Sequence, residues 1–356
     1  MTIPAPGCTV GVLFPERFHP DHASYELALD RLRDEHPDVQ VLVAPYEDRA
    51  ERRTRRGRPG YVRAADDVDE LDAAQLEAFA RMDVALALDL PYDVAALAPR
   101  LRWVQAVGAG TGQLLSAGVP SSTIRLTNAA GTSAPEIAEF VLARALEHTT
   151  ELRRLDELQA EQRWKPVYGR ALRDQTIGLV GLGSINLAVA RLASAFGMRV
   201  LGVRRRLGRP PTYVDELHPI DRLVDVVAEC DVVVSALPEA PGTVELFDAD
   251  VFAAMRPGSL FCNVGRGSAV DEAALLAALS AGTPAAAALD VFADEPLPPG
   301  HPFWTHPAVR VSAHCSSVPA RSIERVHELF RRNLARFLAG EPLENEVPVG
   351  PDGPAT

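Results

Sequence analysis

The chain has 356 residues, 47% of them hydrophobic, and a formal net charge of −12. This composition supplies apolar material for two domains of roughly 150 to 200 residues, and the negative balance argues against nucleic acid as the main partner, since phosphate backbones need clustered positive charge. No apolar run approaches the ~20 residues of a membrane span, and MTIPAPGCTVGVLF lacks the basic start of a signal peptide, so a cytoplasmic protein with no membrane partner is expected.

In chain order, CTVGVLF, VQVLVA, DVALAL, LRWVQAV and IRLTN read as buried strands with helical stretches between most of them, a βαβ pattern that implies a mostly parallel sheet. Arg49 to Arg63 (RAERRTRRGRPGYVR) is the clearest charge run. It reads either as a solvated surface loop or as an anion-attracting lip. A long amphipathic helix is expected from about Ser133 to Leu158. After Trp164 come a second strand series (TIGLVG, MRVLGV, DVVVSAL, SLFCNV, AAAALDV, VRVSA) and a last helix over about Pro319 to Leu338. Residues 349–356 are expected to be disordered. The four cysteines (Cys8, Cys230, Cys262, Cys315) lack C-x-x-C spacing, so reduced thiols are expected. No His, Asp or Glu cluster has metal-ligand spacing, and no metal is expected. The single lysine, Lys165, leaves little room for Schiff-base chemistry.

TIGLVGLGSIN runs from a strand into a Gly-rich turn and then a helix, the context a dinucleotide needs. Gly181 permits the tight turn and Gly183 the close approach of a pyrophosphate. Ser184, Ile185 and Asn186 open the helix, whose free N–H groups and positive dipole end face the phosphates. Asn186 stands where the motif usually has a third glycine. About 20 residues on, an NAD site carries an acid for the ribose. Here stand Arg204, Arg205 and Arg206, which suit a 2′-phosphate. NADP(H) is therefore expected over NAD(H), with NAD(H) still open.

Beyond the glycines the chain resembles the D-isomer-specific 2-hydroxyacid dehydrogenases over roughly Leu101 to Val347. The segments that carry the resemblance are LRWVQAVGAG, GTSAPEIAEFVLARAL, LPEAPGTVELF, MRPGSLFCNVGRGSAVDEAAL, ALDVFADEPLPPGHPFWTHPAV and VSAHCSS. It implies an α/β protein of two Rossmann-like or flavodoxin-like domains with parallel sheets. A cofactor domain, 129–314, is inserted into a discontinuous substrate domain, 1–128 with 315–348. It also implies a homodimer built on the cofactor domains.

The family's catalytic trio falls on Arg266, Glu295 and His314. Arginine offers a planar fork for a carboxylate and carbonyl, histidine a proton donor near working pH, and the carboxylate orients the ring. The backbone of Val107, Gly108, Ala109 and Gly110 is assigned to the substrate carboxylate. Leu237, Pro238, Thr243, Val264, Gly265 and Asp290 are assigned to the cofactor. Cys315 is expected to fill space. The implied activity is hydride transfer between NADP(H) and a small 2-keto or 2-hydroxy acid of the glyoxylate or hydroxypyruvate type. The alternative is a non-catalytic dinucleotide sensor on the same fold, similar to the C-terminal-binding corepressors.

Overall fold

The computed structural model describes residues 7–57, 60–64 and 67–348. The 349–356 tail and Arg58 and Pro59 of the arginine run lie outside them. The chain forms two compact units. The first takes in the described residues up to Thr132 and from Pro319 onward; the second spans Ser133–Val318.

Unit 1 begins with β1 (Thr9–Val12), α1 (His22–Glu35), β2 (Gln40–Val43), α2 (Ala50–Gly57), α3 (Ala73–Arg81), β3 (Val84–Ala87), α4 (Val94–Leu97), β4 (Trp103–Ala106), α5 (Gly112–Leu115) and β5 (Arg125–Thr127). Its strands pair in parallel in the order β2-β1-β3-β4-β5, the flavodoxin-like winding. Unit 2 follows with α6 (Ala134–Thr149), α7 (Leu152–Ala160), β6 (Thr176–Val180), α8 (Ser184–Ala195), β7 (Arg199–Arg204), β8 (Glu216–Pro219), α9 (Leu223–Val227) and β9 (Val232–Ser235). It ends with α10 (Ala249–Ala254), β10 (Leu260–Asn263), α11 (Glu272–Ala281), β11 (Ala286–Leu289) and β12 (Val309–Val311), and α12 (Pro319–Ala339) returns to unit 1. The unit 2 sheet is parallel in the order β12-β11-β10-β9-β6-β7-β8. The winding reverses between β6 and β9, the switch point at which open α/β sheets bind ligands. This is the expected α/β class with two parallel sheets.

Both sheets are covered on both faces, so β1, β3, β4, β6, β9 and β10 are buried along their whole length. In unit 1, Trp103 stacks on Phe330 of α12 at 5.4 Å, and its indole N–H donates to Thr127 Oγ1 at 2.9 Å. Among the described residues no helix is long and apolar enough to cross a membrane.

Three elements differ from expectation. The 133–158 helix is two helices, because Glu151 adopts φ +59. The Thr149 and Thr150 hydroxyls donate back to the Ala145 and Leu146 carbonyls, and the Arg170 N–H takes the Thr149 carbonyl at 2.6 Å. Such local bonds compete with helix continuation. Edge strand β8 is not expected from the sequence, because ELHP is too short and polar to read as a buried strand. The arginine run is not a solvated loop. Most of it is α2, whose Arg52, Arg53, Arg55 and Arg56 pair with Glu47, Asp48, Asp67, Asp69 and Asp89.

A buried histidine pair ties the loop after β1 to α12. His19 Nδ1–H donates to the Glu16 carbonyl at 3.2 Å, so its Nε2 accepts from His327 Nε2–H at 2.8 Å. Burial pushes both imidazoles down from 6.5, His327 to about 3, with the neighbouring His19 and Arg331 adding to the shift. The unfolded chain therefore binds more protons between pH 6.5 and 3. Stability is full above pH 6.5 and is lost as the pH falls. A loss of roughly 3 kcal/mol by pH 4 is expected from His327. His327→Leu should flatten the acid limb of a melting-temperature profile, and an unchanged limb would count against this origin.

Candidate active site

The site residues of unit 2 lie in the turns that leave the carboxyl ends of β6, β7, β9, β10, β11 and β12. After β6, Gly181 has φ +85, and a Cβ there would lie 2.9 Å from Leu237 Cδ2, so only glycine fits without strain. Gly183 caps α8 with no side-chain hydrogen bond, and a Cβ at Gly183 would meet nothing within 4 Å. The first internal backbone bond of α8 is Leu187 N–H to Gly183 O, so the N–H groups of Ser184, Ile185 and Asn186 face outward from the helix end. This open cradle of donors fits a pyrophosphate. Asn186 is fully buried. Its Nδ2 donates to the Val180 and Gly181 carbonyls at 3.0 and 2.9 Å. The residue in the third glycine's place therefore ties the helix to the strand.

Gly183→Ala is expected to fold with a melting temperature within about 2 °C of wild type, since the methyl meets no protein atom. It should raise the dinucleotide dissociation constant about ten-fold or more by filling the cradle. Unchanged dinucleotide affinity would remove Gly183 from the site.

Arg204 ends β7 half-buried, and Arg205 and Arg206 are exposed. Among the described residues none of the three has a carboxylate within ion-pair distance, and Arg204 Nε is buried without a partner. A run of guanidiniums with no internal counter-charge fits an external phosphate better than it fits a fold-stabilising role.

The β9 and β10 turns are wedged together. A Cβ at Gly265 would lie 2.5 Å from the Leu237 backbone N, and one at Gly267 1.9 Å from the Phe292 carbonyl carbon. Glycines thus flank Arg266 because the neighbouring backbones touch its turn on both sides. Asn263 closes that turn, donating to the Arg266 carbonyl at 3.0 Å and accepting from the Gly265 N–H at 3.2 Å. Val264 and Leu237 are buried, and Pro238 is exposed. Thr243, expected to approach the cofactor, instead shapes its own turn. It is buried, its hydroxyl donates to the Pro238 and Ala240 carbonyls, and the Ala240 N–H donates back to it.

Glu295 and His314 meet after β11 and β12. The Nδ1–H of His314 donates to Glu295 Oε2 at 2.9 Å, and the Phe292 N–H holds the other oxygen at 3.0 Å. Burial pushes the Glu295 carboxyl up, but the His314 bond and charge, the Phe292 N–H and the Arg266 charge together bring it below the usual carboxylate range. The imidazole is about half exposed, so Nε2 is available to an outside group. Arg266 donates from Nη1 to the Gly265 carbonyl at 2.8 Å, which leaves the rest of its fork free of protein partners among the described residues. Asp290, expected at the nicotinamide, is 1% exposed, and both its oxygens are engaged by Ser312, Cys315 and Ser316. Cys315 is exposed and does not fill space; the other three thiols are buried and free. Sequence reasoning passed over Ser312, Ser316 and Asn263. The hydroxyls flanking His314 in SAHCSS were the available signal.

In unit 1, Val107 to Gly110 follow β4. The Val107 N–H is paired with the Ala87 carbonyl, and Ala109 and Gly110 are exposed. The Asn128 side chain donates to the Ala109 carbonyl at 3.2 Å. The turn thus has a fixed base and an exposed tip.

The family model described as "D-isomer specific 2-hydroxyacid dehydrogenase, NAD binding domain" matches residues 142–316. Glyoxylate/hydroxypyruvate reductase A of Serratia proteamaculans is 34% identical over 285 residues, 75% of this chain and 86% of that protein. Among solved structures, a D-isomer specific 2-hydroxyacid dehydrogenase from Xanthobacter autotrophicus in complex with NADPH and MES superposes with TM-score 0.75 at 30% identity, covering 97% of this chain and 98% of that one. An NADPH-dependent glyoxylate/hydroxypyruvate reductase from Sinorhizobium meliloti, in complex with NADP and sulfate, superposes with TM-score 0.73 at 26% identity, covering 96% and 98%. With the Gly-rich turn at a sheet switch point and a carboxylate–imidazole pair on the same sheet edge, these likenesses place the chain in the D-isomer specific 2-hydroxyacid dehydrogenase family, whose members are dinucleotide-dependent oxidoreductases.

Proposed function

We propose that the protein is an NADPH-dependent reductase of small 2-keto acids of the glyoxylate or hydroxypyruvate type. The observation that carries this reading is the His314–Glu295 pair at 2.9 Å, with the Arg266 fork on the neighbouring strand end. The bound nicotinamide supplies the hydride that the carbonyl carbon accepts. His314 gives the proton from Nε2 to the developing alkoxide oxygen. Glu295, an ionised carboxylate, accepts from Nδ1–H and holds the ring. Arg266 pairs with the substrate's carboxylate and carbonyl oxygens in a bidentate fork. On unit 1, the backbone N–H groups of Gly108, Ala109 and Gly110 form a separate donor turn suited to a carboxylate. Ser184, Ile185 and Asn186 take the pyrophosphate, and Arg204 to Arg206 the 2′-phosphate. The glyoxylate/hydroxypyruvate reductase A relative, the reductase solved with NADP and the dehydrogenase solved with NADPH support this cofactor and do not favour the non-catalytic sensor.

The protein acts as a cytoplasmic homodimer built on unit 2. Support comes from exposed apolar side chains on that unit: Trp164 is 100% and Tyr168 89% exposed, with Leu152 and Leu155 near them in sequence.

The test is oxidation of NADPH and NADH against a panel of 2-keto acids, with the same preparation run in analytical ultracentrifugation. NADPH is expected to be preferred by at least about ten-fold in kcat/KM, and Arg204→Ser with Arg205→Ser should erase that preference. A clear NADH preference, or no loss of NADPH use in the double variant, would overturn the cofactor assignment. No turnover with any 2-keto acid would overturn the function, and a monomer the assembly.

A further inference from the structure

His314 carries φ +50, a left-handed conformation that is strained for a non-glycine residue and persists only where its surroundings enforce it. What enforces it is a single buried carboxylate. Asp290 follows β11 and is 1% exposed. Its Oδ1 accepts from the Ser312 hydroxyl at 2.6 Å and the Cys315 N–H at 2.9 Å. Its Oδ2 accepts from the Ser316 N–H at 3.1 Å and the Ser316 hydroxyl at 2.5 Å. The Asp290 carbonyl accepts from the His314 N–H itself, at 2.9 Å. Five hydrogen bonds from four residues of one short segment (312, 314, 315 and 316) thus converge on one residue. They fold the turn around it with His314 at its apex.

We propose that Ser312 and Ser316, through the buried carboxylate of Asp290, are positioning residues that hold His314 in the left-handed conformation from which its imidazole meets Glu295. The inference rests on the reading of His314 as proton donor. The backbone donors of Cys315 and Ser316 alone leave each Asp290 oxygen one partner. The two hydroxyls supply the second partner on each oxygen, so the turn closes on both sides of His314. Burial pushes the Asp290 carboxyl up, but these bonds hold it below its ordinary range, so the clamp stays charged through neutral pH. Charged hydrogen bonds of this kind are among the stronger ones in a protein, enough to offset the cost of the turn.

The test measures kcat, KM and NADPH dissociation constants with NADPH and glyoxylate. Ser312→Ala, Ser316→Ala and the double variant are compared with His314→Gln. Displacing a reacting group by about an ångström can cost about 100-fold. The double variant is therefore expected to lose about 10- to 100-fold in kcat, with NADPH dissociation within about two-fold of wild type. Ser312→Thr keeps the hydroxyl and should restore most of what Ser312→Ala loses. Ser312→Ala leaves Asp290 Oδ1 its Cys315 N–H, so it folds even if the buried Ser316→Ala does not, and it then decides alone. Wild-type kcat in the serine variants with an inactive His314→Gln sinks the clamp and leaves the proton donor standing. Parallel loss of kcat and NADPH affinity also sinks it, because the cluster would then be part of the cofactor site. An active His314→Gln sinks the underlying reading instead.

Discussion

His314→Gln is expected to lower kcat about 10³-fold, within the range that general acid catalysis contributes, while the NADPH dissociation constant stays within about two-fold. Glutamine keeps a donor of similar length that can still reach Glu295 Oε2, so the half-buried carboxylate keeps a partner and the fold is not at risk. What is lost is a titratable nitrogen on the half-exposed side of the ring. Glu295→Gln should act through the same nitrogen. An amide still orients the ring but removes the negative charge beside it, so a loss of about 10- to 100-fold in kcat is expected. The Glu295 carboxyl lies below its ordinary range in the fold. Its contribution to stability is therefore present above the unfolded value of 4.5 and lost only as the pH falls below it. A fall in wild-type activity between pH 6 and 5 thus belongs to another group. Single-turnover measurements with saturating NADPH decide the matter, and turnover of His314→Gln within three-fold of wild type would exclude it as proton donor.

Arg56→Ala should be the most damaging change in unit 1, costing about 3 to 5 kcal/mol, as expected when one partner of a buried ion pair is removed. The Arg56 side chain is fully buried. Its Nη1 donates to Asp48 Oδ2 at 2.9 Å, its Nε to Ser116 Oγ at 2.9 Å, and its Nη2 to the Leu90 carbonyl at 2.7 Å and the Gln113 carbonyl at 3.2 Å. Its guanidinium also lies 4.1 Å from the Tyr92 ring centroid. Truncation leaves the Leu90 carbonyl and part of a carboxylate short of donors, plus a cavity, while the Gln113 carbonyl keeps the Ser116 hydroxyl at 2.7 Å. Lysine cannot rescue it, because a single ammonium cannot serve four directions in one plane. The same side chain fixes the start of α5 just after Val107 to Gly110. There the backbones of Gly57 and Gly112 approach so closely that a Cβ at Gly112 would be 2.3 Å from the Gly57 carbonyl oxygen. The substrate KM is therefore expected to rise along with the loss of stability. Urea unfolding of Arg56→Ala measures the first effect, and a cost below about 1 kcal/mol would show that the network tolerates its loss.

The arginine run shows where composition stops being informative. Fifteen residues with seven arginines read as a solvated surface, because nothing local says otherwise. The acids that answer them come from outside the run or from its flanks: Glu47 and Asp48 before it, Asp67 and Asp69 after it, and Asp89 beyond β3. Only folding brings those carboxylates close enough for the arginines to be drawn inside.

The sequence by itself determined the parallel α/β class, since uninterrupted apolar runs separated by helical stretches can only be strands covered on both faces. The glycine turn before α8 and the arginines after β7 were legible in it too, because each is a feature of a short stretch of chain. The tertiary structure decided what depends on contacts between separate strand ends. Glu295 and His314 lie 19 residues apart and meet only because β11 and β12 are neighbours in the sheet. Asp290 was not legible as the group around which the histidine turn folds. A carboxylate's partners are chosen by the low dielectric in which it is buried, and no local sequence pattern records that burial.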